Sequence, residues 1–288
     1  MHDAKKTNNE RRRMLTCLLA SGAVLPIGKS ALANVHDEPG GEELHNSLLW
    51  AVAWKQTAAE YFALCHQAYN LARLRLDVIV AGRTPGSRPL AVITDMDDTI
   101  LHAASYWGHL VEKNMDFFDD AVWDEWLPRN LETPVPGSLD FFNHCQDQDV
   151  EVFYITSRNQ GERSDEYALE QLRLFAFPFA DEAHLTVIRD SSNKSPAREA
   201  VAETHEIALL IGDNLNDFKR DYYVKDIDER MALMNRDRAE FGDRFILLPN
   251  PTDGHWVRAI FGDSEPQATD ANRRVLKAAA TRSAWDGL

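Results

Sequence analysis

The stretch Ala91-Val92-Ile93-Thr94-Asp95-Met96-Asp97-Asp98-Thr99-Ile100 constrains this chain more than any other. A mostly apolar run with the length of a buried strand leads straight into Asp95, and a second carboxylate follows two residues later. Burying unpaired carboxylates is costly or forces them to take up protons. A cation at the strand end removes that conflict, and a hard metal ion suits an all-oxygen donor set. The competing reading is a strand that closes in a solvated Asp-rich turn.

The rest of the chain repeats the pattern. Val150-Glu151-Val152-Phe153-Tyr154-Ile155 is a second buried-type strand and ends in Thr156-Ser157-Arg158. Ile207-Ala208-Leu209-Leu210-Ile211 is a third and ends in Gly212-Asp213-Asn214-Leu215-Asn216-Asp217. Shorter strands are expected at Leu185–Ile188 and Phe245–Leu248, with helices over 139–145, 161–175, 196–206 and 264–282. Strands alternating with helices imply an α/β fold, a Rossmann-like, mainly parallel sheet with helices on both faces. Ligands in such sheets sit beyond the carboxyl ends of the strands. Lys194 falls between the second and third polar strand ends. Three such ends are much harder to explain as solvated loops than one.

Two further segments frame this core. From Ser47 to about Ala81 there is no Gly or Pro, and Trp50, Trp54, Tyr61, Leu64, Cys65, Ala68, Leu71, Ala72 and Leu76 recur at helical steps. A long N-terminal amphipathic helix is predicted, with room for a break. The insertion at about 102–135 is rich in aromatics, including Tyr106, Trp107, Phe117, Phe118, Trp123 and Trp126, and reads as a small helical cap with a helix near 121–129. Its rings serve either as the cap's own core or as a stacking surface for a ligand.

The termini and charge narrow the class. Residues 1–33 have the layout of a signal peptide: a basic n-region ending in Arg11-Arg12-Arg13, an apolar run from Met14 to Ile27, and Ala31-Leu32-Ala33 as the cleavage site. Arg11 to Leu15 also fits the twin-arginine pattern, with ordinary Sec export as the competing route. The expected location is the periplasm or the medium. The apolar run is short for a membrane span, and Cys17 lies outside a lipobox, which argues against a lipid anchor. Residues 34–46 read as a flexible lead-in to a domain over 47–288. The net charge of -15 disfavours nucleic acid or an anionic membrane as partner, and cleavage would make the chain more acidic still. Cys65 and Cys145 are read as two unrelated buried thiols, although export permits a disulfide. The oligomeric state is left open, a dimer included.

With these residues in place the chain resembles the haloacid dehalogenase superfamily. D-x-D-x-T stands at Asp95 to Thr99, the strand-end Ser/Thr at Thr156, the lysine at Lys194, and G-D-x-x-x-D at Gly212 to Asp217. Trp54 to Tyr61, Val135-Pro136-Gly137, Phe153 to Arg158, Leu248-Pro249-Asn250 and Ala284 to Gly287 are similar to class C non-specific acid phosphatases over residues 47–288. That resemblance implies an exported Mg²⁺-dependent phosphatase acting on small phosphorylated metabolites through an aspartyl-phosphate. It implies Asp95 as nucleophile and Asp97 as the acid and base that serves the leaving group; a carboxylate at Asp97 favours phosphatase over dehalogenase chemistry. Thr156 and Lys194 would hold the phosphoryl oxygens. One Mg²⁺ would sit among Asp95, Asp97 (by its carbonyl), Asp213 and Asp217. Tyr106, Trp107 and Trp256 are candidates for contact with the leaving group. The loop 249–256 keeps Trp256 but lacks the tyrosine of relatives that act on nucleotides, which weakens a 5′-nucleotidase reading. A phosphotransferase, or a binding protein whose chemistry has fallen silent, would use the same scaffold. Thr99 is expected to shape the turn, Asp98 to be a solvated turn carboxylate, and His102, His109 and His255 to be surface or core residues.

Overall fold

The computed structural model of the protein describes residues 46–285. The expected signal peptide and nearly all of the lead-in lie outside the described residues. The chain opens with helix α1 (Leu49–Thr57) and helix α2 (Ala59–Ala81), separated at Ala58, whose backbone is extended with ψ 121°. The break re-phases the buried stripe. Leu48, Val52 and Lys55 are buried in the first segment, and Tyr61, Cys65, Ala68, Tyr69, Ala72 and Leu76 in the second. Trp50 and Leu64, expected on the apolar face, are exposed.

The sheet is five-stranded, in the order β5-β4-β1-β6-β7, and every pairing is parallel. Its strands are β1 (Leu90–Thr94), β4 (Glu151–Ser157), β5 (Leu185–Ile188), β6 (Glu206–Gly212) and β7 (Phe245–Leu247). Strand β1 is buried along its whole length, as a central strand covered on both faces should be. Side chains alternate across it: Leu90 and Val92 join the main core with Val152, Tyr154, Leu209 and Ile211, whereas Ala91 and Ile93 are buried outside that cluster. Helix α2, helix α5 (Ser138–Asp147) and helix α6 (Ser164–Leu174) all contribute to this core. Helix α7 (Ser195–Thr204) follows Lys194. Cys65 and Cys145 are both buried free thiols in the main core.

Between β1 and α5 lies the insertion. A short antiparallel pair, β2 (Leu101–His102) and β3 (Thr133–Pro134), closes its base. Above it stand α3 (Ala104–Glu112) and α4 (Asp120–Trp126); of these only α4 shows in the sequence pattern. Tyr106, Trp107, Trp123, Trp126 and Leu110 form a second core together with Leu48 and Val52 from the N-terminal segment. The chain ends with α8 (Ile227–Arg236), α9 (His255–Phe261) and α10 (Asp270–Ala280). The first two leave little periodic signal because few of their residues are buried: Arg230 in α8, and Val257 and Ala259 in α9. No described helix is long and apolar enough to cross a membrane.

Candidate active site

The strand order decides which polar strand ends meet. Because β4 and β6 both flank β1, Thr156 and Asp213 emerge on either side of Asp95. The Asp95 amide donates to the Ile211 carbonyl at 3.0 Å, which locks the two strand ends together. This is the point where the sheet order reverses, the usual position of a ligand in a doubly wound sheet.

Carboxylate oxygens of Asp95, Asp213 and Asp217 lie within 4.8 Å of one another, and no other acidic, His or Cys cluster of that kind occurs among the described residues. Lys194 Nζ donates to Asp95 Oδ1 at 2.6 Å and to Asp217 Oδ1 at 2.7 Å. Asp217 also accepts from the Asn214 amide at 3.0 Å. It can lie this close because residue 212 is glycine: a Cβ there would come within 2.5 Å of Asp217 Cβ. Asp213 accepts from Thr99 Oγ1 at 2.9 Å and from Asn250 Nδ2 at 2.7 Å. Thr99 therefore grips a cluster carboxylate, a more direct part than shaping its own turn.

The electrostatics of the cluster are unbalanced. Burial raises the Asp95 carboxyl to about 7; Lys194 opposes the rise, while Asp217 and Asp97 add to it. Asp213 is driven well above the ordinary carboxylate range by burial, then by Asp217 and Asp95. Burial also works against the Lys194 ammonium, but Asp217 and Asp95 outweigh it and hold the proton on. One lysine does not neutralise three clustered carboxylates, and the hard-oxygen donor set fits a divalent cation such as Mg²⁺.

Asp97 faces the same cavity from the other side of the loop. Arg158 holds it in a two-pronged ion pair, Nε to Oδ2 at 2.8 Å and Nη2 to Oδ1 at 2.6 Å. Thr156 Oγ1 stands 3.4 Å from Asp97 Oδ2. Arg158 carries no motif of its own. Its signals are its place at the end of the Phe153 to Arg158 segment and the alternation that runs on from β4, which puts residues 156 and 158 on one side. Behind it, Arg158 Nη1 donates to Gln171 Oε1 at 2.6 Å, and Gln171 Nε2 donates to Glu132 Oε1 at 2.6 Å. Glu132 is buried at the base of the cap, and burial pushes its carboxyl up to about 7 against the pull of Arg158. The cap is thus wired to Asp97 through three side chains.

Asp98 is not the solvated turn carboxylate that its local sequence suggests. It is 4% exposed and adopts a left-handed backbone, φ 53°. Its carboxylate accepts from Lys55 Nζ at 2.7 Å and from Trp107 Nε1 at 3.0 Å, and the Ala103 amide and His102 lie at 3.3 and 3.4 Å. Burial opposes the charge, but Lys55 and His102 hold the carboxyl far below its usual range. Lys55 also donates to Thr252 Oγ1 at 3.0 Å and Asn250 Oδ1 at 3.3 Å. A solvated turn would have left Asp98 with water; three elements converge on it instead. In the sequence Lys55 shows by its helical spacing from Leu48 and Val52, which places it on the buried stripe, and by its place in the Trp54 to Tyr61 segment.

A cavity of about 580 Å³ opens over the cluster, lined by Asp95, Asp97, Thr156, Lys194, Asp213 and Asp217, with Trp107 among its wall residues. The other two aromatic candidates do not reach it. Tyr106 is fully buried in the cap core, packed edge-on to Trp123 at 4.9 Å. Trp256 lines a separate groove beside β7, and its indole N–H donates to the Asp253 carbonyl at 2.8 Å. Trp107 itself spends its N–H on Asp98. His102 is buried beside Asp98, and His109 is exposed. His255 lines the cavity, held neutral near 3 by burial and the arginines around it, and its Nδ1 accepts from Asn214 Nδ2 at 2.9 Å.

The family model of HAD superfamily, subfamily IIIB (acid phosphatase), matches residues 38–256. The chain belongs to this family. Two solved structures extend the likeness over most of both chains. The class C acid phosphatase from Bacillus anthracis with tungstate bound is 30% identical, with TM-score 0.73, over 80% of this chain and 94% of that one. A second structure of the class C acid phosphatase from Bacillus anthracis is 29% identical, with TM-score 0.74, over 82% and 97%. As a subfamily IIIB acid phosphatase the protein is a phosphoric monoester hydrolase, and its substrates are small phosphorylated molecules. The Rossmann-like sheet with its helical flanks is the fold those relatives share.

Proposed function

We propose that the protein is an exported, Mg²⁺-dependent acid phosphatase that hydrolyses phosphate monoesters through an aspartyl-phosphate on Asp95. The observation that carries this reading is the packing of Asp95, Asp213 and Asp217 around Lys194, with Asp97 two residues along. Mg²⁺ held by Asp95 and Asp213, with the Asp97 carbonyl and with Asp217 beside it, would offset negative charge on the phosphoryl group. Export rests on the basic, apolar and small-residue pattern of residues 1–33.

Asp95 attacks phosphorus as an ionised carboxylate, and the ester bond to the leaving oxygen breaks. Lys194, already bridging Asp95 and Asp217, neutralises carboxylate repulsion and binds a phosphoryl oxygen; the Thr156 hydroxyl donates to another. Asp97 gives its proton to the leaving alkoxide and then takes one from the water that cleaves the aspartyl-phosphate. Arg158 aims that carboxyl and stabilises its anion once the proton has gone. Asp217 is oriented by Lys194 and the Asn214 amide, ready to accept from water near the cluster.

The test is p-nitrophenyl phosphate turnover across pH 4–8, with EDTA and with Mg²⁺ restored. The expected result is activity below neutral pH that EDTA abolishes and Mg²⁺ recovers, and that Asp95→Asn lacks. Undiminished turnover by Asp95→Asn would remove the nucleophile assignment; turnover indifferent to EDTA would remove the metal. Tungstate, named with one Bacillus anthracis relative, is expected to inhibit as a phosphate-like oxyanion.

A further inference from the structure

The cavity has a second wall, opposite the strand ends, that the hydrolysis itself does not use. It is built by the cap and by the segment that follows α9. Asp120 and Asp124 come from α4, Asp253 from the loop after β7, and Glu265 from the segment before α10. Among the described residues no cation pairs with these four carboxylates. The lysine and arginines that line the cavity are engaged elsewhere: Arg158 with Asp97, Lys194 with Asp95 and Asp217, and Arg189 with Asp165. Asp124 has only the neutral Gln160 amide, at 2.9 Å.

The wall contains unmet acceptors of another kind. Gln160 Oε1 and Ser264 Oγ both belong to residues lining this cavity, and each atom is buried with no hydrogen-bond partner in the protein. Leaving such an atom unsatisfied costs about 1–3 kcal/mol, so turning either partly exposed side chain toward the cavity would let a donor there satisfy it. Phe118 and Trp123 line the same side and add aromatic surface. Carboxylates, unpaired acceptors and aromatic rings together are the recognition chemistry of an organic ammonium group.

A second metal ion is the competing occupant, and the geometry disfavours it. Among the described residues the one carboxylate cluster tight enough for an ion is Asp95, Asp213 and Asp217. The wall carboxylates do not bring three ligand oxygens that close together, and a primary ammonium, which donates three hydrogen bonds in separate directions, does not need them to. Two of them already meet: burial and a hydrogen bond with Asp120 push Glu265 up to about 7, while burial, with Asp98 adding to it, pushes Asp253 up to about 6.

Taking the phosphatase reading above as given, we infer that the leaving-group half of this cavity selects phosphate monoesters whose alcohol carries a primary ammonium group. The phosphoryl end sits at Asp95, Thr156 and Lys194. The ammonium end donates to the wall formed by Asp120, Asp253, Glu265 and the orphaned acceptors. The substrate is then a zwitterion, which also lowers the repulsion a phosphate dianion would meet on entering so acidic a cavity.

The experiment uses the full enzyme and a series of ω-aminoalkyl phosphates of increasing chain length. Each is compared with the methyl-terminated alkyl phosphate of the same heavy-atom count, and p-nitrophenyl phosphate serves as the activity control. The expected result is a kcat/KM about tenfold higher for the amine at the best length, equivalent to ~1.4 kcal/mol. That ratio should shrink in high salt and fall several-fold in Glu265→Gln and in Asp253→Asn. Methylating the amine to the quaternary ion should reduce the ratio, because it cannot donate. A ratio near one or below at every length overturns the ammonium subsite while the phosphatase stands. No turnover of any ester, the control included, takes both readings down together.

Discussion

The buried pair between Lys55 and Asp98 offers the sharpest test of how this active site is held. Both side chains are essentially out of water, Lys55 at 1% and Asp98 at 4% exposure, 2.7 Å apart. Lys55→Met keeps the volume and the apolar stem but strands the Asp98 carboxylate. Removing one partner of a buried pair costs about 3–5 kcal/mol. For a domain of this size each kcal/mol is worth about 2–4 °C of Tm, so a fall of about 6–20 °C is expected at pH 7 by thermal denaturation followed by circular dichroism. The pH dependence has a definite sign. Lys55 and His102 depress the folded-state pKa of Asp98, despite burial. Its stabilisation is therefore complete above the ordinary carboxylate pKa, about 3.9, and is lost as pH falls through the lower folded value. Without Lys55 the carboxyl protonates earlier on acidification, so the gap between the two proteins should narrow as pH drops. The double variant Lys55→Met with Asp98→Asn should recover part of the loss, since no charge is left stranded. A Tm within about 2 °C of wild type, or a gap that stays constant with pH, would show that Asp98 is solvated and that the reasoning fails.

Further outcomes follow from the site. Arg158→Met frees Asp97, so kcat should fall most for alkyl phosphates, whose poor leaving groups need a proton, by up to about 10²-fold, and least for p-nitrophenyl phosphate; equal losses on both would refute an aiming role. Protons compete for the cluster because Asp95 is raised to about 7 in the absence of metal. Mg²⁺ affinity measured by calorimetry should accordingly weaken as pH drops below that value, by up to about tenfold per unit per proton released. Gly212→Ala should lose Mg²⁺ affinity while still folding, because the new methyl displaces Asp217; unchanged affinity would show that Asp217 plays no part. Cys65 and Cys145 are buried free thiols, and burial pushes Cys65 up to about 11, so reductant should leave Tm unchanged and a thiol reagent should react only on unfolding.

Much of this site is legible locally. Apolar runs closing in Asp95, Thr156 and Asp213 are properties of single segments. A parallel sheet brings such ends to one edge whatever the details of its helices. The residues that local pattern leaves out or misplaces have a different origin. Trp107 and Tyr106 look alike in sequence, yet one lines the cavity and the other is sealed in the cap core. The position of Trp256 in its loop points toward the substrate, but the turn into α9 carries it to another groove. The helix break at Ala58 shifts the buried stripe so that Trp50 faces solvent.

By itself the sequence determined the fold class, the edge of the sheet where the chemistry gathers and the strand-end carboxylates there, because hydrophobic periodicity specifies which side of each element is buried; Lys194 is marked only by the order of the motifs in the family resemblance. Only the tertiary structure decided who pairs with whom: Lys55 with Asp98, Arg158 with Asp97, Thr99 and Asn250 with Asp213. The physical reason is that a buried charge is satisfied by whatever partner packing brings within about 3 Å, and that partner can lie anywhere along the chain.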